Sequence, residues 1–366
     1  MNEGCYRDAN CCDDMECLGI NPFNWACGHS IGVAGQACDL VYACDEHLVC
    51  HEGFCAEYAD LLVQGTEGTC SEGSPPGELK VQTHNLFLVN CPLGWTSGPV
   101  PCQDHDTKRS RIVPKLFSWY EQSDADVVMF QEVWDLRAEL IEGMTGAGYC
   151  HYISNIYERN GSGLQIFSKY PLEDADFFDY FDLFGPNSDT FLHPEATTDR
   201  GIMYAKVTKD GRNYHVANTH TVSTSLGEQQ EAREMQYEEI KLFIEEKNLP
   251  ADELVVYGGD MNENKFDPET HWQYEVMLDK TDAFEPEHPE GSQQFSYDTL
   301  MNPIPASFQD NDFEQLLDYV LVSNNHGQPE ESSCEVLVAQ YPEDCGGGME
   351  CMLSDHFPVL CSFVVA

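Results

Sequence analysis

Positive charge is scarce in this chain: 18 Lys and Arg stand against 64 Asp and Glu, a formal balance of −46. No basic stretch is longer than Lys108 to Arg111. A polyanion such as DNA is repelled by that balance, although salt screens charges beyond about 8 Å and a bound cation attracts phosphate locally. Zwitterionic headgroups suit such a surface better, and the acidity also serves solubility in a saline setting. Long apolar runs are missing as well. None approaches the roughly 20 residues of a membrane-spanning helix, so any lipid contact is expected to be peripheral. No apolar stretch follows Met1, and the chain reads as a mature form with an added initiator.

Cysteine is plentiful, yet no paired C-x2-C occurs. Nine of the 17 cysteines lie in the first 55 residues, and their intervals suit disulfide loops better than zinc. Cys38, Cys44, Cys50 and Cys55 are loosely echoed by Cys5, Cys12, Cys17 and Cys27, so two related halves are expected. So small a segment needs covalent staples, which place the protein in an oxidising, extracellular setting as a secreted protein. The expected organisation is a cysteine-rich module over 1–60, a linker over 61–78 and a larger domain over 79–366. Gly, Ser, Pro and Thr crowd the linker from Gln64 to Gly77. The odd cysteine count leaves one thiol unpaired or joined to another chain, with Cys361 a candidate for a buried free thiol. Cys345 and Cys351 flank a glycine-rich stretch and are expected to close a short disulfide loop.

Six polar segments interrupt or follow apolar runs that read as buried strands: THN at 83–85, QEVWD at 131–135, THT at 219–221, GGDMNEN at 258–264, LDY at 317–319 and SDHFPV at 354–359. Polar residues just past strand ends converge. Hydrolysing a phosphodiester requires a cation on the phosphoryl oxygens, a base for water and donors for the developing charge. Glu132 offers a hard oxygen ligand and Asn85 a neutral one; Asp355 is free to face metal. His356 is the natural base, and Asp318 the acceptor that orients its other nitrogen. Asp260 and Asn262, alternate residues on extended chain, point the same way, one accepting from the attacking water and one donating; His220 then stabilises phosphoryl oxygens. Taken singly, each signal has an ordinary structural explanation. Clustering Glu132, Asp260, Asp318 and Asp355 near a core, however, is unfavourable unless a cation compensates.

These segments resemble the endonuclease/exonuclease/phosphatase superfamily, and within it the secreted neutral sphingomyelinases. LKVQTHNLF at 79–87, DADVVMFQEVWD at 124–135, GLQIFSKYPL at 163–172, RGIMYAKV at 200–207 and above all GGDMNENK at 258–265 carry the resemblance. It implies an α/β fold of two packed sheets flanked by helices, with the site at one end. It also implies magnesium, or manganese or cobalt in its place, held by Glu132 and Asn85 with Asp355 and Asp260 near. Asp260, Asn262 and His220 would line the phosphate, and His356 would activate water to hydrolyse sphingomyelin into ceramide and phosphocholine. The family has a basic residue matching Arg200, paired with an acid matching Glu195; a surface salt bridge is the plainer reading of that pair.

Two departures stand out. A second, peripheral metal site of bacterial relatives falls here on Leu136, Asn160 and Gly161, so it is expected to be absent or altered. Their membrane-inserting aromatic hairpin is replaced by a segment with no Trp or Phe between Tyr341 and Cys351. Docking candidates are then Trp95, between Cys91 and Cys102, or Phe177, Phe178, Tyr180, Phe181 and Phe184, which equally suit a core. Helix patterns occupy about 108–122 and 227–247. Asn160-Gly-Ser162 is a glycosylation sequon. A nuclease or phosphatase on the same scaffold is the alternative activity. In a different class, the cysteine-rich module would bind a receptor or matrix beside an inactive scaffold.

Overall fold

In the computed structural model the described residues are 16–21, 24–28, 48–51, 54–57, 62–89, 108, 115–155, 161–180, 200–223, 228–309, 311–340 and 351–365. The larger part is built from two mixed sheets. Its strands are β1 (Leu62–Thr66), β2 (Glu78–Leu88), β3 (Val127–Val133), β4 (His151–Asn155), β5 (Gln165–Ser168), β6 (Leu172–Asp179), β7 (Gly201–Lys209), β8 (Arg212–His220), β9 (Leu254–Asp260), β10 (Ala283–Phe284), β11 (Asp318–Ser323), β12 (Glu331–Val336) and β13 (Val359–Val364). Sheet one runs β12-β13-β2-β3-β5-β4-β1, and sheet two β6-β7-β8-β9-β11-β10.

Each sheet holds one parallel pair near its centre, β2 with β3 and β8 with β9. A parallel pair needs a crossover, and a helix supplies each one: α1 (Lys115–Glu121) before β3 and α3 (Glu228–Glu246) before β9. The helix pattern read at 227–247 is α3; of that read at 108–122, α1 forms the last part. Helix α2 (Arg137–Gly146) follows β3, and α4 (His271–Thr281) follows β9.

Strand periodicity sorts the core into layers. Val127 and Met129 face the space between the sheets, with Val216, Val256 and Val320 of sheet two. Their neighbours Val128 and Phe130 face outward onto Leu116 and Tyr120 of α1 and Leu140 and Met144 of α2. On the other side Tyr237, Ile240, Phe243 and Ile244 of α3 join the first cluster. The order is helix, sheet, sheet, helix, as the resemblance implied. All seven residues of β9 are buried, since a central strand covered on both faces tolerates no exposed position.

A polar bolt crosses the interior. Gln131 Nε2 donates to Asn218 Oδ1 at 2.7 Å, and Asn218 Nδ2 donates to the carbonyls of Phe130 and Gln165 at 2.8 and 3.0 Å. Elsewhere Lys209 and Asp126 form a fully buried ion pair at 2.9 Å that also holds Ser74.

Two expectations are corrected. Leu62–Thr66, read as linker, is the edge strand β1, paired antiparallel from Leu62 with Asn155 to Thr66 with His151. Cys70 beyond it is bonded to Cys150, and Ser74 donates from N to Asp126 at 2.7 Å. Gly, Ser and Thr around it hide a strand that is held by its ladder, by Leu62 packed against the core and by Gln64 Nε2 donating to the Leu172 carbonyl. Cys361 is bonded to Cys334, directly opposite in the β12 and β13 ladder with Cα atoms 4.0 Å apart, so it is no free thiol. Cys351 is a disulfide cysteine, while Cys345 lies outside the described residues. In the amino-terminal segment Glu16–Asn21 pairs with Asn24–Gly28, and Leu48–His51 with Phe54–Glu57, one hairpin in each proposed half.

Candidate active site

The chain direction of the parallel pairs brings the polar segments to one end of the sandwich. Asn85 lies near the end of β2 and Glu132 near the end of β3; His220 and Asp260 end β8 and β9. Register then sets neighbours: His220 lies opposite Asp260, and Asp260 opposite Asp318 at the start of antiparallel β11. His356 arrives just before β13, which pairs antiparallel with β2. The carboxyl ends of parallel strands are where α/β sheets form ligand crevices.

Two like charges directly opposite across a ladder are unfavourable, and a histidine sits over Asp260 and Asp318. His356 Nδ1 donates to Asp318 Oδ2 at 2.7 Å, while its Nε2 lies 3.9 Å from Asp260 Oδ2. Burial by itself would lower the His356 pKa; Asp318, then Asp260 and Asp355, hold it well above the usual histidine value. His220 has Nε2 3.5 Å from Asp260 Oδ2 and the opposite bias: burial, then Arg200 and His356, push it well below. Tyr297 stacks edge-on against His356 at 5.1 Å between ring centroids.

The acids are strained electrically. Burial, then the charge of Asp355, lifts Glu132 from the usual carboxylate range to about 8. Burial, then Asp318, lifts Asp260 to about 7. Glu132 also takes a left-handed backbone, φ 57°, and its Oε2 is buried without a hydrogen-bond partner among the described residues. Asn85 ties the cluster together: Nδ2 donates to Asp260 Oδ2 at 2.9 Å, the side chain hydrogen-bonds Glu132, and Oδ1 accepts from Phe87 N at 3.0 Å. Asp355 Oδ1 accepts from Ser354 Oγ at 3.1 Å. Asp260, Asp318 and His356 offer ligand atoms within 4.8 Å of one another. His356 Nδ1 and Asp318 Oδ2 are engaged with each other, so the oxygens open to a ligand are those of Glu132 and Asp260, Asp318 Oδ1, buried without a partner among the described residues, and the second lone pair of Asn85 Oδ1. An orphaned buried carboxylate oxygen, repelling acids and an all-oxygen donor set fit a hard divalent cation.

Asn262 departs from expectation. It does not continue an extended strand past Asp260: its φ is 51°, and its N–H turns back to donate to Asp260 Oδ1 at 3.0 Å. Asparagine tolerates this conformation. Its Nδ2 donates to the carbonyl of Thr221 at 3.0 Å, which leaves one N–H for a ligand. Arg200 is buried beside the site, with Nη1 donating to the carbonyls of His220 and Thr221 at 3.3 and 3.0 Å. Its expected partner Glu195 lies outside the described residues, as do Asn160, Trp95, Phe181 and Phe184. Leu136 is buried in the apolar cluster under α2, and the carbonyl of Gly161 accepts from Trp134 Nε1 at 2.7 Å. Phe177 and Tyr180 belong to the core and Phe178 packs against it, so these three do not form a docking surface.

Sequence reasoning missed the residues that aim the histidine segment. Asn302, fully buried, donates from Nδ2 to the carbonyls of Ser354 and Asp355 at 2.8 and 3.1 Å. Ser296 Oγ accepts from the N–H groups of Leu317 and Asp318, and its carbonyl from Phe357 N. Ser354 Oγ donates to the carbonyl of Asn85 at 2.6 Å. Only Asn302 left a signal, as an N-cap ahead of Pro303.

This arrangement of strands and polar ends is that of a known class: the profile of the Endonuclease/Exonuclease/phosphatase family matches residues 113–356, and the chain belongs to that family. Among its relatives are Sphingomyelinase C 2 of Leptospira interrogans, 28% identical over 77% of this chain and 45% of that protein, and a Phospholipase C of Staphylococcus aureus, 27% identical over 76% of this chain and 85% of that one. The chain thus spans less than half of the Leptospira relative. A variant of beta toxin from Staphylococcus aureus, solved with bound magnesium ions, shares the fold with TM-score 0.60 and 24% identity, covering 78% of this chain and 99% of that one. The family profile shows the superfamily; the likeness to proteins named sphingomyelinase C and phospholipase C is one of 27 to 28% identity.

Proposed function

We propose that the protein is a secreted, divalent-metal-dependent phosphodiesterase that hydrolyses sphingomyelin to ceramide and phosphocholine at a membrane surface. The observation that carries this reading is the His356 to Asp318 hydrogen bond beside a buried carboxylate cluster in which Glu132 Oε2 has no partner among the described residues. The relatives named sphingomyelinase C, and the magnesium held by beta toxin, support the substrate and the metal.

Glu132, Asn85 and Asp260 are the residues to hold the ion, with Asp355 adding negative charge beside them. A bound magnesium there would polarise phosphoryl oxygens and neutralise the acids. His356 accepts a proton from the attacking water, and Asp318 stabilises the imidazolium that forms. The acids around His356 favour its protonated form, so its role as base requires their charge to be offset first. Asp260 orients the water. His220, kept neutral by burial and Arg200, donates a hydrogen bond to a phosphoryl oxygen, as does the remaining N–H of Asn262. Arg200 holds the end of β8 through two carbonyls and so positions His220. Water's oxygen forms the new P–O bond as the bond to the ceramide oxygen breaks, and its proton ends on the ceramide hydroxyl.

The test is release of phosphocholine from sphingomyelin by purified protein with Mg2+, run beside DNA and a phosphomonoester. His356→Ala is expected to lower the rate by roughly 10²-fold or more with lipid binding retained. Ready cleavage of DNA or the monoester without phosphocholine release would replace this reading by a nuclease or phosphatase.

A further inference from the structure

Among the described residues few large apolar side chains are exposed, and four of them fall on two loops beside the site and the helix turn that follows one of them. Phe266, 41% exposed, lies on the loop between Asp260 and α4, and Trp272, 49% exposed, in the first turn of α4; Leu300 and Met301, 59% and 46% exposed, precede Asn302. The loops touch. Phe266 meets Phe295 edge to face at 5.3 Å between centroids, and within the second loop Gln293 Nε2 lies 3.6 Å from Met301 Sδ. His271 Nδ1 donates to the carbonyl of Lys265 at 2.5 Å, which ties the first turn of α4, where Trp272 lies, to the residue before Phe266. The second loop is rigid where it counts: Asp298 Oδ1 accepts from the N–H groups of Leu300 and Met301 at 2.9 and 3.0 Å. It also touches the site, through Tyr297 against His356 and Asn302 against the backbone of Ser354 and Asp355.

We propose that Phe266, Trp272, Leu300 and Met301 form the surface by which the protein docks onto a lipid bilayer presenting choline headgroups. The inference rests on reading the site as a phosphocholine-releasing one: a phosphodiester at headgroup depth is reached only if the mouth of the site meets the bilayer. Charge selects the lipid. Exposed Glu269 and Glu275 flank the first loop, and exposed Asp312 and Glu314 flank the second, Glu314 pairing with Asp298. An anionic leaflet is repelled by that rim, whereas the trimethylammonium groups outermost on a choline lipid meet it favourably. Apolar side chains placed between such acids enter the interface while the acids stay in water.

Flotation with phosphatidylcholine vesicles free of sphingomyelin reads docking apart from catalysis. Wild-type protein should float with these vesicles and bind phosphatidylglycerol vesicles less. Trp272→Ala, and Leu300→Ser combined with Met301→Ser, should each cut the bound fraction about tenfold. Their hydrolysis of the water-soluble ester p-nitrophenylphosphocholine should stay within about twofold of wild type. Wild-type protein that fails to float, variants that float like wild type, tighter binding to the anionic vesicles, or variants that lose soluble hydrolysis in parallel would each overturn the proposal. A wild-type protein that floats as expected yet leaves the soluble ester intact would instead count against the catalytic reading, with docking upheld.

Discussion

Glu132 carries two costs at once: a left-handed backbone that a side chain with Cβ disfavours by roughly 1–2 kcal/mol, and a carboxyl that burial and Asp355 lift to about 8. Neither cost is repaid by a bond to Oε2 among the described residues. Such a residue is retained for what it binds. Glu132→Gln keeps the shape and removes the charge. Its metal-free form should therefore melt no lower than wild type, while its affinity for Mg2+ or Mn2+ in calorimetry falls by at least about tenfold. A variant that binds metal as tightly as wild type would remove Glu132 from the donor set. The same reasoning separates it from Asn302, whose amide bonds backbone groups, donating to the carbonyls of Ser354 and Asp355 and accepting from Ile304 N, and which acts by holding Asp355 and His356 in place.

Asn218 ends neither a motif nor a strand, yet its amide joins the two sheets by three buried hydrogen bonds. Asn218→Leu leaves the carbonyls of Phe130 and Gln165 and the Nε2 of Gln131 facing an apolar side chain. The expected cost is about 2–4 kcal/mol, read as a lower urea midpoint with an unchanged slope. An unchanged midpoint would mean that the sheets are held by apolar packing alone. That bolt shows why the elements were readable unevenly. Strands with continuous apolar runs, such as Val127–Phe130 and Leu254–Tyr257, announce themselves because both faces are covered. The edge strand Leu62–Thr66 does not, since only two of its five residues are even half-buried and its register comes from the partner strand. Likewise Asp260 and His356 stood out by residue type at a strand end. The roles of Ser296 and Asn302 as supports depend on contacts across tens of residues, to Leu317, Asp318, Ser354 and Asp355, which no local pattern encodes.

At the scale of the whole molecule the acid cluster couples metal to stability and pH. In the metal-free protein Glu132 rises from 4.5 to about 8 and Asp260 from 3.8 to about 7, each with burial as the first cause. A carboxyl raised in this way holds a proton that the unfolded chain releases. Its contribution to stability is complete below pH of about 4 and is lost as pH climbs through 7 to 8. Buried His215 behaves oppositely, its pKa lowered by burial, so it weakens the fold as pH falls below about 6.5 with or without metal. The difference between metal-loaded and metal-free protein cancels that term. A cation binds the ionised carboxylates, so it competes with their protons at low pH and relieves their repulsion at high pH. The rise in melting temperature on adding Mg2+ should therefore be larger at pH 8 than at pH 5.5 by at least roughly 2 °C, the shift that about 1 kcal/mol produces in a domain of this order of size. Glu132→Gln should flatten that dependence. An equal rise at both pH values in the wild-type protein would mean that the ion, if it binds, does so away from Glu132 and Asp260.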